Sequence, residues 1–155
     1  MPGKYLPPEA YLPHRPPMVV LDKVLEVSDD SARCSVDVRP GCAAALFLQD
    51  DGSIPWLCSM EFMAQAIGVW SGCNAISRGE EMPPLGMLIE ARDLKGFCKS
   101  FDAGARLEIK VDKVLESGPL ACFDGTVAGG GRVLASGRLN VMAVGEDSFS
   151  KLFKR

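Results

Sequence analysis

Two side chains in this sequence could move protons, Glu61 and His14. Glu61 is the only charged residue in the otherwise largely apolar segment 53–76. An isolated carboxylate is costly to bury there, and a carboxylic acid that keeps its proton near neutral pH can act as a general acid. The same carboxylate could instead reach solvent or form an ion pair with Arg15 or Arg92.

His14 is the sole histidine of the chain. An imidazole is well suited to removing a proton near neutral pH, which makes His14 a candidate general base. It lies in the proline-rich stretch Leu12–Met18, where the ring of each proline restricts the backbone. The alternative is a structural histidine whose ring forms a hydrogen bond with the backbone at a sheet edge.

Gln65 follows Glu61 by four residues, so both side chains lie on one face of a helix. Gln65 could orient the carboxyl group or line the path of a ligand, but an ordinary helix hydrogen bond is an equally good explanation. Gly68 and Gly72 continue this face. Small residues there would let another segment or a ligand approach closely, although core packing also explains them.

Further residues could bind a flexible apolar ligand. Trp56, Leu57 and Cys58 lie at the expected start of the helix, where free backbone N–H groups could polarise a carbonyl. Methionine adapts to flexible ligands, so Met18 and several other large apolar residues could line a tunnel, or simply form the core. The other members of this set are Met60, Met63, Met82, Met87, Phe62 and Trp70.

Hydrophobic periodicity predicts one helix among several strands. Segment 54–76 is apolar around nearly its whole circumference, which indicates a helix that is buried on most sides, with Pro55 in its first turn. Six of the eleven prolines fall in residues 1–17, so we expect an extended lead-in segment over the surface. The strands are predicted at Met18–Val27, Ala32–Val38, Leu85–Ala91, Ala105–Leu115, Leu120–Ala128 and Arg132–Val144.

These elements predict a single α+β domain over residues 1–155, with a C-terminal tail at 145–155. The net charge of −3 and the pI of about 5.2 argue against a nucleic-acid-binding protein. Polar residues within segment 54–76 argue against a membrane span. The six cysteines form no metal-binding pattern, so we expect no metal site and reduced, mostly buried thiols in a cytoplasmic protein without a signal peptide.

Two segments resemble the FabA/FabZ-type 3-hydroxyacyl-[acyl-carrier-protein] dehydratases, and the small ApeP-like dehydratases among them most of all. Residues 12–24, LPHRPPMVVLDKV, are similar to the opening L-P-H-R-x-P-F-L-L-V-D-R-V of that family. Residues 61–66, EFMAQA, are similar to its helical E-A-M-A-Q motif. The resemblance implies a hot-dog fold, in which a mostly antiparallel sheet of five to six strands wraps a long central helix.

The resemblance also implies an activity, the removal of water from a 3-hydroxyacyl thioester on an acyl carrier protein in fatty-acid or polyene synthesis. Glu61 would protonate the departing hydroxyl, His14 would take the Cα proton, and no cofactor would be needed. A homodimer with joined sheets, and with sites at the interface, is implied as well.

The sequence departs from the family at one position of the pattern. The dehydratases carry a catalytic histidine in a G-H-F-P loop before the helix, whereas the equivalent residues 42–55, CAAALFLQDDGSIP, contain none. Three alternatives follow: His14 has taken that role, Glu61 works alone with water, or the domain only binds acyl chains. A hot-dog thioesterase, in which Glu61 activates water, is a further hypothesis.

Overall fold

The structure is a computed structural model that describes residues 4–80 and 85–144, without the side chain of Leu85. The expected tail at 145–155 and Met82 lie outside these residues. Within the described ranges, one helix and eight strands follow each other along the chain. They are β1 (Lys23–Val27), β2 (Ser31–Asp37), β3 (Ile54–Pro55), α1 (Ser59–Ser77), β4 (Leu85–Gly96), β5 (Ser100–Phe101), β6 (Arg106–Ser117), β7 (Leu120–Gly129) and β8 (Arg132–Val144).

Six strands form one antiparallel sheet in the order β1-β2-β6-β7-β8-β4, and this sheet packs around α1. Strands β3 and β5 form a separate two-stranded sheet. The arrangement confirms the predicted α+β hot-dog fold with its central helix. No helix in the described part of the chain has the length and hydropathy needed to cross a membrane.

Helix α1 is buried on most sides, as its apolar circumference predicts. Phe62, Met63, Ala66 and Val69 have no solvent exposure. Phe62 also packs against Phe101 of β5, with ring centroids 6.4 Å apart. The core therefore lies between α1 and the inner face of the sheet.

The predicted start of the helix is wrong by five residues. Ile54 pairs with Phe101 between β3 and β5, and residues 56–58 form one turn of 3₁₀ helix before α1 begins at Ser59. The ring of Trp56 packs directly on Gly96, where an added Cβ would lie 2.2 Å from it. These long-range contacts hold the segment in place and override its local preference for helix.

The first predicted strand, Met18–Val27, is also too long, because β1 begins only at Lys23. Val19 and Val20 are buried, but the side chain of Gln65 binds this stretch in place of a neighbouring strand. Strand β4 continues to Gly96, five residues beyond its predicted end. The other four long strands agree with their predictions to within two residues at each end.

The lead-in segment does not simply run over the surface. It contains a turn of 3₁₀ helix at Pro8–Ala10, and both Tyr11 and Leu12 are buried. An added Cβ on Gly72 would lie 2.1 Å from the carbonyl oxygen of Tyr11, and one on Gly68 would lie 2.6 Å from Cδ2 of Leu12. The two glycines thus let the lead-in segment cross α1 in direct contact.

Candidate active site

A cavity of about 550 Å³ extends along α1, between the helix, the lead-in segment and one end of the sheet. We call it the α1 cavity. At 1.5 Å per residue, the stretch of α1 from Glu61 to Asn74 that borders it is about 20 Å long. Its wall includes Leu12, His14, Glu61, Ala64, Gln65, Gly68, Ser71, Asn74, Arg78, Gly86, Met87, Leu88, Lys113, Glu116, Ala121, Val141 and Met142.

Gln65 connects the helix to the segment that carries His14. Its Nε2 atom donates to the backbone oxygen of Met18 at 2.8 Å and to Oε1 of Glu61 at 2.9 Å. Its Oε1 atom accepts a hydrogen bond from the backbone N–H of Val20 at 2.9 Å. Only 2% of Gln65 is exposed, so these bonds satisfy an amide that would otherwise be costly to bury. Gln65 therefore positions other groups as well as lining the cavity.

Glu61 is half-buried on the cavity wall, in the first turn of α1. The ion pairs considered for it do not form. Arg15 donates instead to backbone oxygens of the lead-in segment, and Arg92 pairs with Glu90. Among the described residues, no basic side chain lies within 4 Å of the Glu61 carboxylate. The carboxylate thus faces the cavity with Gln65 as its hydrogen-bond donor.

His14 is half-buried and lines the same cavity. Its Nδ1 atom is buried and has no hydrogen-bond partner in residues 4–80 and 85–144. A structural histidine at a sheet edge would bind the backbone through a ring nitrogen, and neither ring nitrogen of His14 makes such a bond to the described residues. His14 therefore lines the cavity without the backbone hydrogen bond that a structural role predicts.

Four of the predicted substrate-binding residues lie away from the α1 cavity. Trp56, Leu57 and Cys58 form the turn before α1, where the Leu57 side chain is 60% exposed. The side chain of Met18 is largely exposed too, and its backbone oxygen makes the contact with Gln65. Gln65 and Gly68 do line the cavity. From the suggested tunnel residues, Met87 and Trp70 join the wall, whereas Met63 and Phe62 are fully buried in the core.

The sequence interpretation missed the end of the cavity that is remote from Glu61. There Lys113 Nζ lies 2.9 Å from Glu116 Oε1 and 3.5 Å from Asp30 Oδ1. It also lies 5.2 Å from the centroid of the Trp70 ring. The hydrogen bond to Glu116 raises the pKa of Lys113 above its usual range. The one sequence signal for this region is that Ser71, Asn74 and Arg78 follow Gly68 at spacings that place them on the same side of a helix.

The cysteines give no sign of a nucleophile. All six are free thiols. Burial raises the pKa of Cys34 to about 12, and it also raises the pKa of Cys58 and Cys73. A thiol that resists ionisation is a poor nucleophile. In the described part of the chain, no three His, Cys, Asp or Glu residues cluster as a metal site would require.

Comparison with known proteins identifies relatives of this fold and sequence. A chain of the dehydratase heterocomplex ApeI:P from Xenorhabdus doucetiae is 37% identical, with 98% of this chain and 100% of that chain covered and a TM-score of 0.93. The phenylacetic acid degradation protein PaaI from Thermus thermophilus is 21% identical, with 79% and 92% covered and a TM-score of 0.58. A hypothetical thioesterase protein with coenzyme A from Streptococcus pneumoniae is 15% identical, with 79% and 85% covered and a TM-score of 0.60.

The second and third likenesses show the fold alone. No curated protein matches the chain significantly. The family described as ApeP dehydratase matches residues 6–153, nearly the whole chain. This protein therefore belongs to the ApeP-like dehydratase family.

Proposed function

We propose that this protein removes water from a 3-hydroxyacyl thioester carried on an acyl carrier protein, in fatty-acid or polyene synthesis. The observation that carries the proposal is that Glu61 and His14 line one cavity. Gln65 contacts both Glu61 and the segment that follows His14. A carboxyl group and an imidazole beside one cavity supply the acid and the base that an elimination requires.

In the proposed reaction, His14 takes a proton from C2 of the substrate, next to the thioester carbonyl. The electron pair of that C–H bond forms the C2–C3 double bond, and the bond between C3 and the hydroxyl oxygen breaks. Glu61 gives its proton to this oxygen, so that water leaves. Transfer of the proton from His14 back to Glu61 restores both groups, and no redox cofactor or metal takes part.

Assembly with a second chain is part of the proposal. Strand β4 is one edge of the sheet, and its residues Gly86, Met87 and Leu88 also line the α1 cavity. The opposite edge, β1, is short, and the hydroxyl of Tyr5 both donates to and accepts from the backbone of Val27. An open edge strand is a natural site for pairing with another chain, so we assign the subunit interface to β4.

The partner is either a second copy, as the family resemblance implies, or a different chain. Because the ApeI:P structure is a heterocomplex, a different chain is the alternative to a second copy. Together with the loop at 42–55 that lacks histidine, this supports a second candidate function, an acyl-binding subunit that works beside a catalytic partner. The thioesterase hypothesis has only a likeness of fold in its favour.

The test is mass spectrometry of a 3-hydroxyacyl carrier protein incubated with the wild type, Glu61→Gln and His14→Ala. Glu26→Gln serves as a matched control, because Glu26 is an exposed glutamate on β1, away from the α1 cavity. The proposal expects the wild type and the control to remove one water, and both site variants to lose this activity by about 100-fold or more.

Each other outcome has a defined meaning. If only Glu61→Gln is inactive, His14 is structural and the base must come from elsewhere, including a partner chain. If the wild type alone leaves the substrate unchanged but becomes active with a partner chain, the acyl-binding subunit is the correct function. Release of the free acid in place of water loss would establish a thioesterase.

A further inference from the structure

Two neighbouring rows of side chains on the inner face of the sheet differ in how closely they pack against α1. One row fills the space beneath the helix, and the next borders the α1 cavity. In the filled row, Phe123 of β7 and Leu139 of β8 are cross-strand partners, and neither has any solvent exposure. The Phe123 ring packs edge-on against Trp70 of α1, with centroids 5.0 Å apart. Phe123, Leu139 and Trp70 thus close the space between helix and sheet at this point, whereas Lys113, the partner of Phe123 on β6, still lines the cavity.

The next inward-facing row borders the α1 cavity. It consists of Glu116, Ala121, Val141 and Leu88, which are successive cross-strand partners in β6, β7, β8 and β4. All four line the cavity. Because alternate residues of a strand face the same side, Ala121 faces α1 just as the buried Phe123 does. The replacement of a large side chain by a methyl group leaves room at this point.

Three small residues of α1 also line the cavity, beside the larger Ile67 and Trp70. Ala64, Gly68 and Ser71 line it at successive helical turns beyond Glu61. At 1.5 Å per residue, Ser71 lies about 15 Å along the helix from Glu61. A space bordered by small and apolar groups on two sides thus begins beside the proposed catalytic pair and passes over Ala121.

We propose that Ala121 determines how large an acyl group the protein accepts. This inference rests on the proposed function and deepens it: the carbons beyond C3 of the substrate lie between α1 and the row of Ala121 and Val141. Medium-length acyl chains then gain affinity from apolar burial that a four-carbon chain cannot reach. A larger side chain at position 121 would fill that space and leave the region around Glu61 and His14 unchanged.

The experiment measures binding separately from catalysis. Butyryl-pantetheine and decanoyl-pantetheine carry no 3-hydroxyl group and cannot be dehydrated, so calorimetry gives their affinities alone. The variant is Ala121→Phe. The control is Cys122→Phe, because Cys122 is the adjacent residue of β7, does not line the cavity and points to the other face of the sheet. A melting temperature for each variant checks that it folds, and Ala121→Leu replaces Ala121→Phe if the latter does not.

We expect the wild type and Cys122→Phe to bind the decanoyl thioester about 10-fold or more tightly than the butyryl thioester. Ala121→Phe should lose about 10-fold or more in affinity for the decanoyl thioester and keep its affinity for the butyryl thioester. Equal affinity of the wild type for both ligands would overturn the inference. So would an equal loss for both ligands in Ala121→Phe, or the same selective loss in Cys122→Phe.

A parallel assay with 3-hydroxydecanoyl carrier protein separates this inference from the proposed function. Size-selective binding without dehydration would leave the role of Ala121 intact and contradict the dehydratase proposal. Dehydration of long and short substrates at equal rates by Ala121→Phe would support the dehydratase proposal and contradict the role of Ala121.

Discussion

Gln65 and Glu61 lie one turn apart on α1, and the Gln65 amide nitrogen donates a hydrogen bond to the Glu61 carboxylate at 2.9 Å. The same amide binds the backbone of Met18 and Val20, a few residues after His14. One buried side chain therefore sets the position of Glu61 relative to the lead-in segment.

Replacement of Gln65 by leucine should remove the link between Glu61 and the lead-in segment. The change leaves the N–H of Val20 and the oxygen of Met18 without partners, which costs about 1–3 kcal/mol of unfolding free energy for a buried group. We expect a lower kcat with a smaller change in KM, because Glu61 loses the donor that orients it. Urea denaturation and steady-state kinetics measure the two effects.

The matched control for this change is Gln49→Leu. The Gln49 amide also makes two side-chain hydrogen bonds, to Ser53 and Ser100, but Gln49 is exposed and does not line the α1 cavity. It should cost little stability and leave kcat unchanged. A Gln65→Leu variant with normal kcat and reduced stability would make Gln65 purely structural.

Gly72→Ala should destabilise the fold, although alanine normally favours a helix over glycine. The added Cβ would lie 2.1 Å from the carbonyl oxygen of Tyr11, so the lead-in segment or the helix has to move. Overpacking of this kind costs about 1–3 kcal/mol. Gly86→Ala is the control, since its Cβ would meet no atom within 4 Å. Equal unfolding free energies for the two variants would contradict the close crossing of Tyr11 over α1.

The architecture could be predicted from the sequence because the hydrophobic patterns of its strands and helix are local and repeated. The alternation of Leu107, Ile109 and Val111 predicts β6, and all three are fully buried on the inner face. The apolar run around Phe62 and Val69 predicts a buried helix, which α1 confirms. Such patterns depend on which face is buried and need no knowledge of the partner elements.

The limits of the helix and the shape of the site depend on contacts between distant residues. Ile54 pairs with Phe101, 47 positions later, so no local signal could stop the helix from being predicted there. The sequence did single out Glu61, His14 and Gln65, whose chemistry is evident from residue type. Ala121 carries no such signal, because only the pairing of β7 with its neighbours places it on the cavity wall.

The acid stability of the fold should depend on Asp124. Two hydrogen bonds from Arg138, at 2.7 and 3.0 Å, hold the pKa of Asp124 below its usual value of 3.8. A carboxylate with a lowered pKa in the folded state contributes stability above the unfolded pKa, and that contribution is lost as the pH falls through the folded pKa. Because the pair is half-exposed, the effect should stay below about 1 kcal/mol.

Asp124→Asn should therefore lower the unfolding free energy near neutral pH and make it less dependent on pH below about pH 4. Urea denaturation at a series of pH values measures this. Asp102→Asn is the control, because Asp102 is an exposed aspartate with no ion pair to another described residue. Parallel curves for wild type and Asp124→Asn at acid pH would show that the Arg138 pair does not stabilise the fold.

A charge on the open edge of the sheet should prevent assembly. Ile89 lies on β4 and is 53% exposed, as a residue at a subunit interface would be in an isolated chain. A lysine on an edge strand opposes strand pairing, because its charge would have to be buried against the partner. We expect light scattering to give the wild type about twice the monomer mass of 16.6 kDa, and Ile89→Lys the mass of one chain.

Leu25→Lys is the control for this change, since Leu25 is a 40% exposed residue on the opposite edge strand β1. It should remain dimeric, because β1 takes no part in the proposed interface. The wild type could instead be monomeric alone and form a complex with a different chain. If Ile89→Lys abolishes that complex, the assembly is a heterocomplex through β4 and not a homodimer. Complex formation that survives in Ile89→Lys but fails in Leu25→Lys would move the interface to β1.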